Sequence, residues 1–194
     1  MSGGCGPGRL IVLSGPSGVG KDTVLRALFA RDPRLRYSIS YTTRSPRPGE
    51  VDGVSYTFVD EATFRRLEDA GEFLETAVVH GHRYGTSRRR VEAMLARGEH
   101  VVLKIDVQGA AAVRERLPEA LFIFLLPPSL DVLRQRLRDR GTDDEEALAR
   151  RDADAAWEMA EASRYDHLVV NDSVDRAARE ICDIVEASCG ANAG

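Results

Sequence analysis

The residues with the clearest chemistry lie near the start of the chain, in a glycine-rich turn that ends in a lysine. The turn has the pattern G-x-x-x-x-G-K, and the residues before Lys21 are Gly15, Pro16, Ser17, Gly18, Val19 and Gly20. Glycines let the backbone turn its N–H groups around phosphate oxygens, and the lysine ammonium reaches the β- and γ-phosphates. An apolar run precedes the turn and a helical pattern follows it, which favours a nucleotide site over a chance glycine-rich turn.

The residue after Lys21 departs from this pattern. A serine or threonine hydroxyl there would bind Mg²⁺, but this chain has Asp22, and the hydroxyl comes one position later at Thr23. We predict that both residues belong to the nucleotide-binding turn and that Thr23 is a candidate metal ligand.

A second group of residues suits a phosphate monoester. Arg44 and Arg47 lie three residues apart on a proline-stiffened turn with hydroxyl side chains nearby. Guanidinium groups bind phosphate oxygens bidentately. Residues 33–49 contain four arginines and no acid, although the net charge of the chain is −4, which indicates a local anion site. An ordinary solvated loop or a phosphorylation target is the alternative interpretation.

Composition limits the kind of molecule that positions these residues. The chain has 194 residues, of which 43% are hydrophobic and 30% are charged, so disorder, collagen and a disulfide-stapled miniature are excluded. No apolar run approaches the roughly 20 residues that cross a bilayer, and we predict a cytoplasmic protein without a membrane partner. The negative net charge argues against nucleic acid as a partner. Three cysteines without a C-x-x-C pair indicate reduced thiols.

Apolar runs alternate with helical patterns along most of the chain. The apolar runs are residues 9–14, 101–105, 121–126 and 168–170. The clearest helical stretches are residues 110–116, 130–138 and 174–187. This alternation predicts an α/β fold with a parallel sheet flanked by helices.

Two segments interrupt the alternation. Residues 37–90 have proline and glycine turns, short strands and a helix over 62–70, which predicts a β-rich insertion. Residues 139–151 are charged and have few apolar side chains, which is typical of a mobile lid. The predicted organisation is a flexible tail over 1–8, a core over 9–36 and 91–194, and the insertion.

Several separated motifs together resemble the guanylate kinase family. They are GPSGVGK, SYTTRSPRPGE, SYTF, FLE, YGT, IDVQG, LPPS, RGTDDEE and VVND, and they span nearly the whole chain. The resemblance implies a P-loop kinase fold with a GMP-binding insertion and a helical lid. It also implies that ATP and GMP, or dGMP, are the partners, that ADP and GDP are the products, and that Mg²⁺ is the cofactor. We predict a monomer or a small homo-oligomer.

The resemblance assigns roles to residues of the predicted insertion. The residues that it implies at the GMP phosphate are Arg44, Arg47, Tyr56 and Tyr84, and those at guanine are Ser40, Glu75, Gly85 and Thr86. One carboxylate can accept hydrogen bonds from both N1–H and N2–H₂ of guanine, whereas adenine presents an acceptor at N1. Glu75 therefore suits guanine, although an exposed strand acid is an equally open interpretation of this residue on local sequence alone.

The resemblance also places residues around ATP and the transferring phosphoryl group. Arg136, Arg140 and Arg151 match arginines that close over that group, and Asn171 matches a residue near adenine. The implied catalytic residues are Lys21, Arg44, Arg140 and Arg151, and the implied Mg²⁺ ligands are Thr23 and Asp106. A salt-bridged solvated helix is the alternative for the lid arginines, and a helix cap is the alternative for Asn171.

Lys104 departs from the family pattern, because relatives usually carry an acid two positions before Asp106. Residues i and i+2 of a strand share a face, so Lys104 and Asp106 should both point toward the nucleotide cleft. We predict that Lys104 forms an ion pair with Asp22 or supplements Lys21 at phosphate. The alternative is that Lys104 extends outward into solvent.

Two other functions are compatible with parts of the sequence. A guanylate-kinase-like module that binds a phosphopeptide would use the insertion, and the sequence Gly-Lys-Asp also resembles ribose-bisphosphate kinases. Such modules generally have a degraded phosphate loop, and those kinases lack the full S-Y-T-T-R-x-P-R run. We therefore predict an ATP:GMP phosphotransferase. We also expect Trp157 to belong to the core.

Overall fold

The computed structural model describes residues 8–79, 81–138 and 145–190, with 145–152 and 190 as backbone only. Residues 1–7 of the predicted tail and 139–144 of the predicted lid lie outside the described residues, and so do Arg140 and the side chain of Arg151.

The strands are β1 (Leu10–Ser14), β2 (Leu35–Tyr37), β3 (Tyr41–Thr42), β4 (Thr57–Phe58), β5 (Phe73–Val79), β6 (His82–Ser87), β7 (His100–Lys104), β8 (Leu121–Leu126) and β9 (His167–Val170). The helices are α1 (Lys21–Arg31), α2 (Glu61–Asp69), α3 (Arg88–Ala96), α4 (Val107–Arg116), α5 (Leu130–Arg138), α6 (Glu145–Ala160) and α7 (Val174–Gly190), with a short 3-10 helix at Glu161–Arg164.

The larger sheet is parallel and has the strand order β2-β7-β1-β8-β9. Every residue of β1 and the first five residues of β8 are buried. Helices cover both faces, so both faces need apolar side chains, which explains continuous apolar runs in place of alternation. On one face α1 and α7 pack through Val24 and Ile181, and on the other α3 and α4 pack through Val91 and Val113. The predicted α/β architecture is confirmed.

The candidate functional residues collect at the carboxyl-terminal edge of this sheet. β1 ends at Ser14, directly before the glycine-rich turn, and its neighbour β7 ends at Lys104, which pairs in register with Leu13. Parallel strands end at the same edge, where open α/β sheets bind ligands. The turn after β1 and the residues after β7 therefore lie side by side.

The smaller sheet has the strand order β4-β3-β6-β5 and takes all of its strands from residues 41–87. β6 pairs antiparallel with both β3 and β5, and the ring of Phe64 from α2 stacks on Phe73 with centroids 4.7 Å apart. Gly85 lies under this pair, because a Cβ there would be 3.0 Å from the ring of Phe73. This aromatic contact fixes α2 against β5 and β6.

Three features differ from the sequence-based expectation. β2 is an additional edge strand, and its single buried position, Leu35, leaves no apolar run that sequence could identify. α4 begins at Val107 and not at Ala110, because the Asp106 carboxylate caps it by accepting the Gly109 N–H at 3.0 Å. The prediction that Trp157 is a core residue is wrong, since it is 50% exposed.

Among the described residues, no helix combines the length and the apolar character that a membrane crossing requires.

Candidate active site

A cavity of about 400 Å³ opens where the edge of the parallel sheet faces β5 and β6. The predicted site residues that line it are Ser17, Gly18, Gly20, Lys21, Asp22, Thr23, Ser40, Tyr56, Glu75, Tyr84 and Asp106. Residues predicted for ATP and residues predicted for GMP therefore share one cavity. The described site residues outside its lining are Gly15, Pro16, Val19, Arg44, Arg47, Gly85, Thr86, Arg136 and Asn171.

The glycine-rich turn has a backbone that favours glycine at three points. φ is +143° at Gly15, +84° at Gly18 and +101° at Gly20. A Cβ at Gly15 would lie 2.4 Å from the carbonyl oxygen of Leu125, so β8 also requires glycine there. α1 begins directly after the turn, at Lys21, and its N-terminus faces the position that a phosphate would take.

Lys21 folds back over the turn. Its Nζ donates to the carbonyl oxygens of Gly15 and Pro16 at 2.5 and 3.1 Å. Burial lowers the pKa of Lys21, and the negative charge of Glu158 opposes that shift. Glu158 from α6 also accepts the Ser17 N–H at 3.0 Å. The Glu158 carboxylate thus accepts a hydrogen bond from a backbone N–H group of the kind that binds phosphate oxygens.

Two residues predicted near ATP contact the backbone of the turn. Asn171 is buried and donates from Nδ2 to the carbonyl oxygen of Val19 at 2.7 Å. Arg136 donates to the same oxygen at 3.1 Å. Both residues therefore stabilise the shape of the turn. The Asn171 Oδ1 atom is buried and has no hydrogen-bond partner among the described residues.

A buried polar group lies at the opposite end of the cavity. Ser40, Glu75 and Thr86 are 5%, 3% and 0% exposed, and Thr86 donates from Oγ1 to Glu75 Oε1 at 2.5 Å. The antiparallel register of β5 and β6 places Glu75 opposite Thr86. The alternative in which Glu75 is an exposed strand acid is wrong.

The environment of Glu75 changes its ionisation. Burial raises its pKa to about 7, although the hydrogen bond from Thr86 acts in the other direction. Asp106 adds to the rise, because both carboxylates converge on the first turn of α4. A Cβ at Gly109 would lie 2.6 Å from Glu75 Oε2 and 3.2 Å from Asp106 Oδ1. The charge of Glu75 therefore depends on pH near neutrality.

Arg44 is held by groups of the smaller sheet and its turns. Its side chain is 10% exposed, and its Nη2 donates to both carboxylate oxygens of Glu50, at 2.8 and 2.9 Å. Its Nε donates to the Tyr84 hydroxyl at 3.3 Å, and its guanidinium lies 5.5 Å from the ring centre of Tyr56. Arg47 is exposed, and its backbone N–H donates to Glu50 at 2.7 Å.

Glu50 is a residue of this region that sequence reasoning missed. Burial acts to raise its pKa, but the hydrogen bonds from Arg44 and from the Arg47 N–H outweigh burial and hold the pKa below its ordinary value. An ionised carboxylate is therefore the partner of Arg44 Nη2. The adjacent sequence PRPGE contains this acid, but no spacing rule links it to Arg44.

Lys104 and Asp22 form the ion pair that the sequence predicts. The Lys104 Nζ lies 2.6 Å from Asp22 Oδ1, and both side chains line the cavity. The Lys104 side chain is only 13% exposed, so the alternative in which it extends into solvent is wrong.

Eight further residues line the cavity without having been predicted there: Ala77, Val78, Val79, Ile105, Gln108, Asp154, Trp157 and Glu158. The last three belong to α6, which no sequence motif connects to the glycine-rich turn. The spacing of residues along α6 does not predict that they line the cavity, because only tertiary packing brings this helix over the turn.

The described residues contain no group of three or more histidine, cysteine, aspartate or glutamate side chains arranged to hold a metal ion. Thr23 and Asp106 both line the cavity, as oxygen ligands of Mg²⁺ would. Mg²⁺ commonly takes one or two protein carboxylates together with water and substrate phosphates. The oxygen donors present are compatible with that mode of binding.

Comparison with known proteins gives a consistent result. The family model described as guanylate kinase matches residues 7–188. A guanylate kinase of Symbiobacterium thermophilum is 51% identical over 180 residues, which are 93% of this chain and 85% of that protein. A guanylate kinase of Alkalilimnicola ehrlichii is 50% identical over 182 residues, 94% of this chain and 90% of that protein.

A solved structure agrees with these relatives. The crystal structure of guanylate kinase from Anaplasma phagocytophilum superposes with a TM-score of 0.77 at 35% identity, and the match covers 93% of this chain and 86% of that one. The predicted family and P-loop kinase fold are confirmed, and the chain belongs to the guanylate kinase family.

Proposed function

We propose that this protein transfers the γ-phosphoryl group of ATP to GMP or dGMP and releases ADP and GDP or dGDP. The observation that carries the proposal is the single cavity in which a phosphate-binding turn faces the buried Glu75. ATP binds at the turn and GMP binds against the insertion over residues 37–90.

On the ATP side, the backbone N–H groups of the turn and the N-terminus of α1 bind the phosphates. Lys21 releases the Gly15 and Pro16 carbonyls and donates to phosphate oxygens. Asn171 supports the turn through Val19, and its free buried Oδ1 atom is suited to accept a hydrogen bond from the adenine amino group. Arg136 fixes the same segment of backbone.

On the GMP side, the ionised Glu75 accepts hydrogen bonds from guanine N1–H and N2–H₂, and Ser40 and Thr86 complete the recognition of the base. Adenine would place the lone pair of N1 against a buried carboxylate. A site built to pair with polar groups rejects analogues that leave those groups unpaired, by factors of about 10⁴. AMP is therefore a poor acceptor.

The GMP phosphate binds to Arg44, Arg47, Tyr56 and Tyr84. Arg44 is already positioned by Tyr84, and the phosphate takes the place of the Glu50 carboxylate in its guanidinium fork. A phosphate and a carboxylate each offer two oxygens that an arginine can bind bidentately, so this exchange needs little movement of Arg44.

Transfer requires no covalent enzyme intermediate and no dedicated general base, because a GMP phosphate oxygen already carries negative charge. The protein positions the two phosphates and balances the charge that spreads over the transferring group. Mg²⁺, held by ATP phosphates with Thr23 and Asp106, would add positive charge there. Arg140 and Arg151 of the lid over 139–151 are proposed to act on the same group.

A coupled assay of ADP release tests the proposal. It compares GMP, dGMP, AMP, UMP, a ribose bisphosphate and a blank without acceptor at fixed ATP and Mg²⁺. We expect turnover that requires GMP or dGMP. ADP release that is independent of GMP would contradict the proposal, and turnover with the ribose bisphosphate alone would favour the related sugar kinases. GMP binding without turnover would favour a phosphopeptide-binding module.

A further inference from the structure

Lys104 lies where the ATP side and the GMP side of the cavity meet. Its Nζ is 2.6 Å from Asp22, the neighbour of Lys21 in the phosphate-binding turn. On its other side the same atom lies 5.3 Å from the ring centre of Tyr56, which belongs to the proposed GMP phosphate site. The ammonium therefore stands between the two proposed phosphate sites.

We infer that Lys104 is a further catalytic residue whose ammonium binds the phosphoryl group as it passes from ATP to GMP. Asp22 is its counterion while the cavity lacks nucleotides. This inference rests on the proposed function.

The two partners of the ion pair differ strongly in exposure. The Lys104 side chain is 13% exposed, whereas that of Asp22 is 75% exposed. The exposed Asp22 carboxylate has room to turn into water when a phosphate arrives, and the phosphate then takes its place as the partner of the ammonium.

The charge balance of the cavity explains why an ammonium is needed at this position. Five carboxylates line the cavity, those of Asp22, Glu75, Asp106, Asp154 and Glu158. Each repels the phosphates that must enter. Of the two lysines in the chain, Lys21 is folded over the turn, and Lys104 already projects between the subsites.

The step that Lys104 assists is an in-line displacement. A GMP phosphate oxygen forms a bond to the γ-phosphorus of ATP, and the bond from that phosphorus to the β,γ-bridging oxygen breaks. The electron pair stays on the ADP oxygen. Lys104 keeps its three protons throughout and donates hydrogen bonds to equatorial oxygens of the transferring group, where charge is spread.

Lysine-selective ¹³Cε labelling tests the contact in the unaltered protein. Lys21 and Lys104 are the only lysines in the sequence, so two signals are expected, and Lys104→Arg assigns them. We expect GMP to shift the Lys104 signal and guanosine, which has no phosphate, to leave it in place. The inference would be overturned if the chemical shift of Lys104 did not change when GMP and ADP are added together.

Kinetics of Lys104→Met provide the second test. This variant keeps the length of the side chain and removes its charge, and we expect kcat/KM for GMP to fall about 10²-fold, as when one preorganised donor is removed from a transition state. Guanosine affinity and melting temperature should be retained. Arg97→Met is the matched control, because it removes one positive charge from an exposed pair with Glu99.

Asp22→Asn separates a catalytic ammonium from a merely structural ion pair. If Lys104 contacts phosphate, Asp22→Asn should tighten GMP binding severalfold in calorimetry without ATP, and this gain should vanish in the Lys104→Met background. A structural pair would give losses of similar size from both single variants, which would overturn the inference.

The activity of the unaltered protein shows whether the proposed function or only the role of Lys104 has failed. An active unaltered protein with full kcat/KM in Lys104→Met would overturn the role of Lys104 alone. Absence of GMP turnover in the unaltered protein would overturn the proposed function, and the inference with it.

Discussion

The two ends of the cavity offer different groups to the phosphates of the proposed substrates. The glycine-rich turn presents backbone groups whose positions are set by positive φ angles and by contact with Leu125. The opposite end presents side chains, and each is already partnered: Arg44 by Glu50 and Glu75 by Thr86. A backbone site is altered by steric change, whereas a side-chain site is altered by change of charge.

The difference also explains where selectivity for the base arises. Backbone N–H groups bind any phosphate and carry no information about the base attached to it. A buried carboxylate opposite a threonine hydroxyl accepts only a particular arrangement of donors. Under the proposed function, the GMP side would therefore select the acceptor nucleotide, and the turn would select a polyphosphate as the donor.

Glu75→Gln is the substitution with the largest expected effect on this comparison. The amide cannot accept from both guanine donors at once, and one of its own donors would face N1–H or N2–H₂. We expect kcat/KM for GMP to fall about 10²-fold, equivalent to about 3 kcal/mol of lost transition-state binding. Steady-state kinetics with GMP and AMP measure this change.

The KM for ATP serves as the control for Glu75→Gln. It should be nearly unchanged, because the isosteric amide still accepts from Thr86 and the phosphate-binding turn lies at the other end of the cavity. An unchanged kcat/KM for GMP would contradict the assignment of Glu75 to guanine.

Gly15→Ala tests the turn by shape alone and has the next largest effect. Its φ of +143° disfavours alanine, and the new Cβ would lie 2.4 Å from the Leu125 carbonyl oxygen, which belongs to a central strand and cannot move freely. We expect a loss of about 2 kcal/mol in the free energy of unfolding, measured with urea. GMP affinity in calorimetry should survive in the folded fraction.

Gly49→Ala is the matched control for Gly15→Ala. Its φ is +85°, but no atom lies within 4 Å of the Cβ position. This variant therefore introduces backbone strain but no steric clash between the new Cβ and a neighbouring atom. Its loss of stability should be smaller, about 1 kcal/mol. Equal losses in the two variants would show that contact with β8 does not hold the turn.

Sequence predicted the backbone half of the site better than the side-chain half. The turn follows a local pattern, and the strand at Leu121–Leu126 and the helix at Leu130–Arg138 have the predicted bounds. Local sequence patterns are sufficient to predict an element that is formed by one short continuous segment. Glu158 and Trp157 reach the cavity only because α6 packs over the turn, and no spacing along the chain encodes that packing.

The pairing of Lys104 with Asp22 is an instructive intermediate case. The two residues are 82 positions apart, yet the sequence predicted their contact, because Asp22 adds a negative charge where the pattern has a hydroxyl and Lys104 adds a positive charge where relatives usually carry an acid. The partner of Arg44 was missed at a separation of six residues. Two matched departures from a pattern were therefore more informative than closeness in sequence.

The smallest expected effect is on pH dependence, and it belongs to the GMP side alone. Guanine needs the ionised form of Glu75, whose pKa burial raises to about 7, with Asp106 adding to the rise and Thr86 and Arg116 opposing it. On acidification from pH 8 to 6 the ionised fraction falls about tenfold, so we expect KM for GMP to rise about tenfold while KM for ATP changes less. Glu75→Gln should abolish the part of this rise that does not come from titration of the GMP phosphate itself.

Stability should follow the same carboxyl group with the opposite sign. Between its ordinary pKa near 4.5 and the folded value of about 7, Glu75 binds more protons in the folded protein than in the unfolded chain. Linkage then requires its contribution to the free energy of unfolding to decrease as pH rises through this window. Relative to Glu75→Gln, the unaltered protein should therefore lose stability from pH 5 to 8 in urea titrations. GMP should reduce that loss, because it binds the ionised form. A parallel pH dependence in both proteins would mean that the carboxyl of Glu75 is already ionised below pH 5, and the GMP side would then resemble the turn in having a charge state fixed across this range.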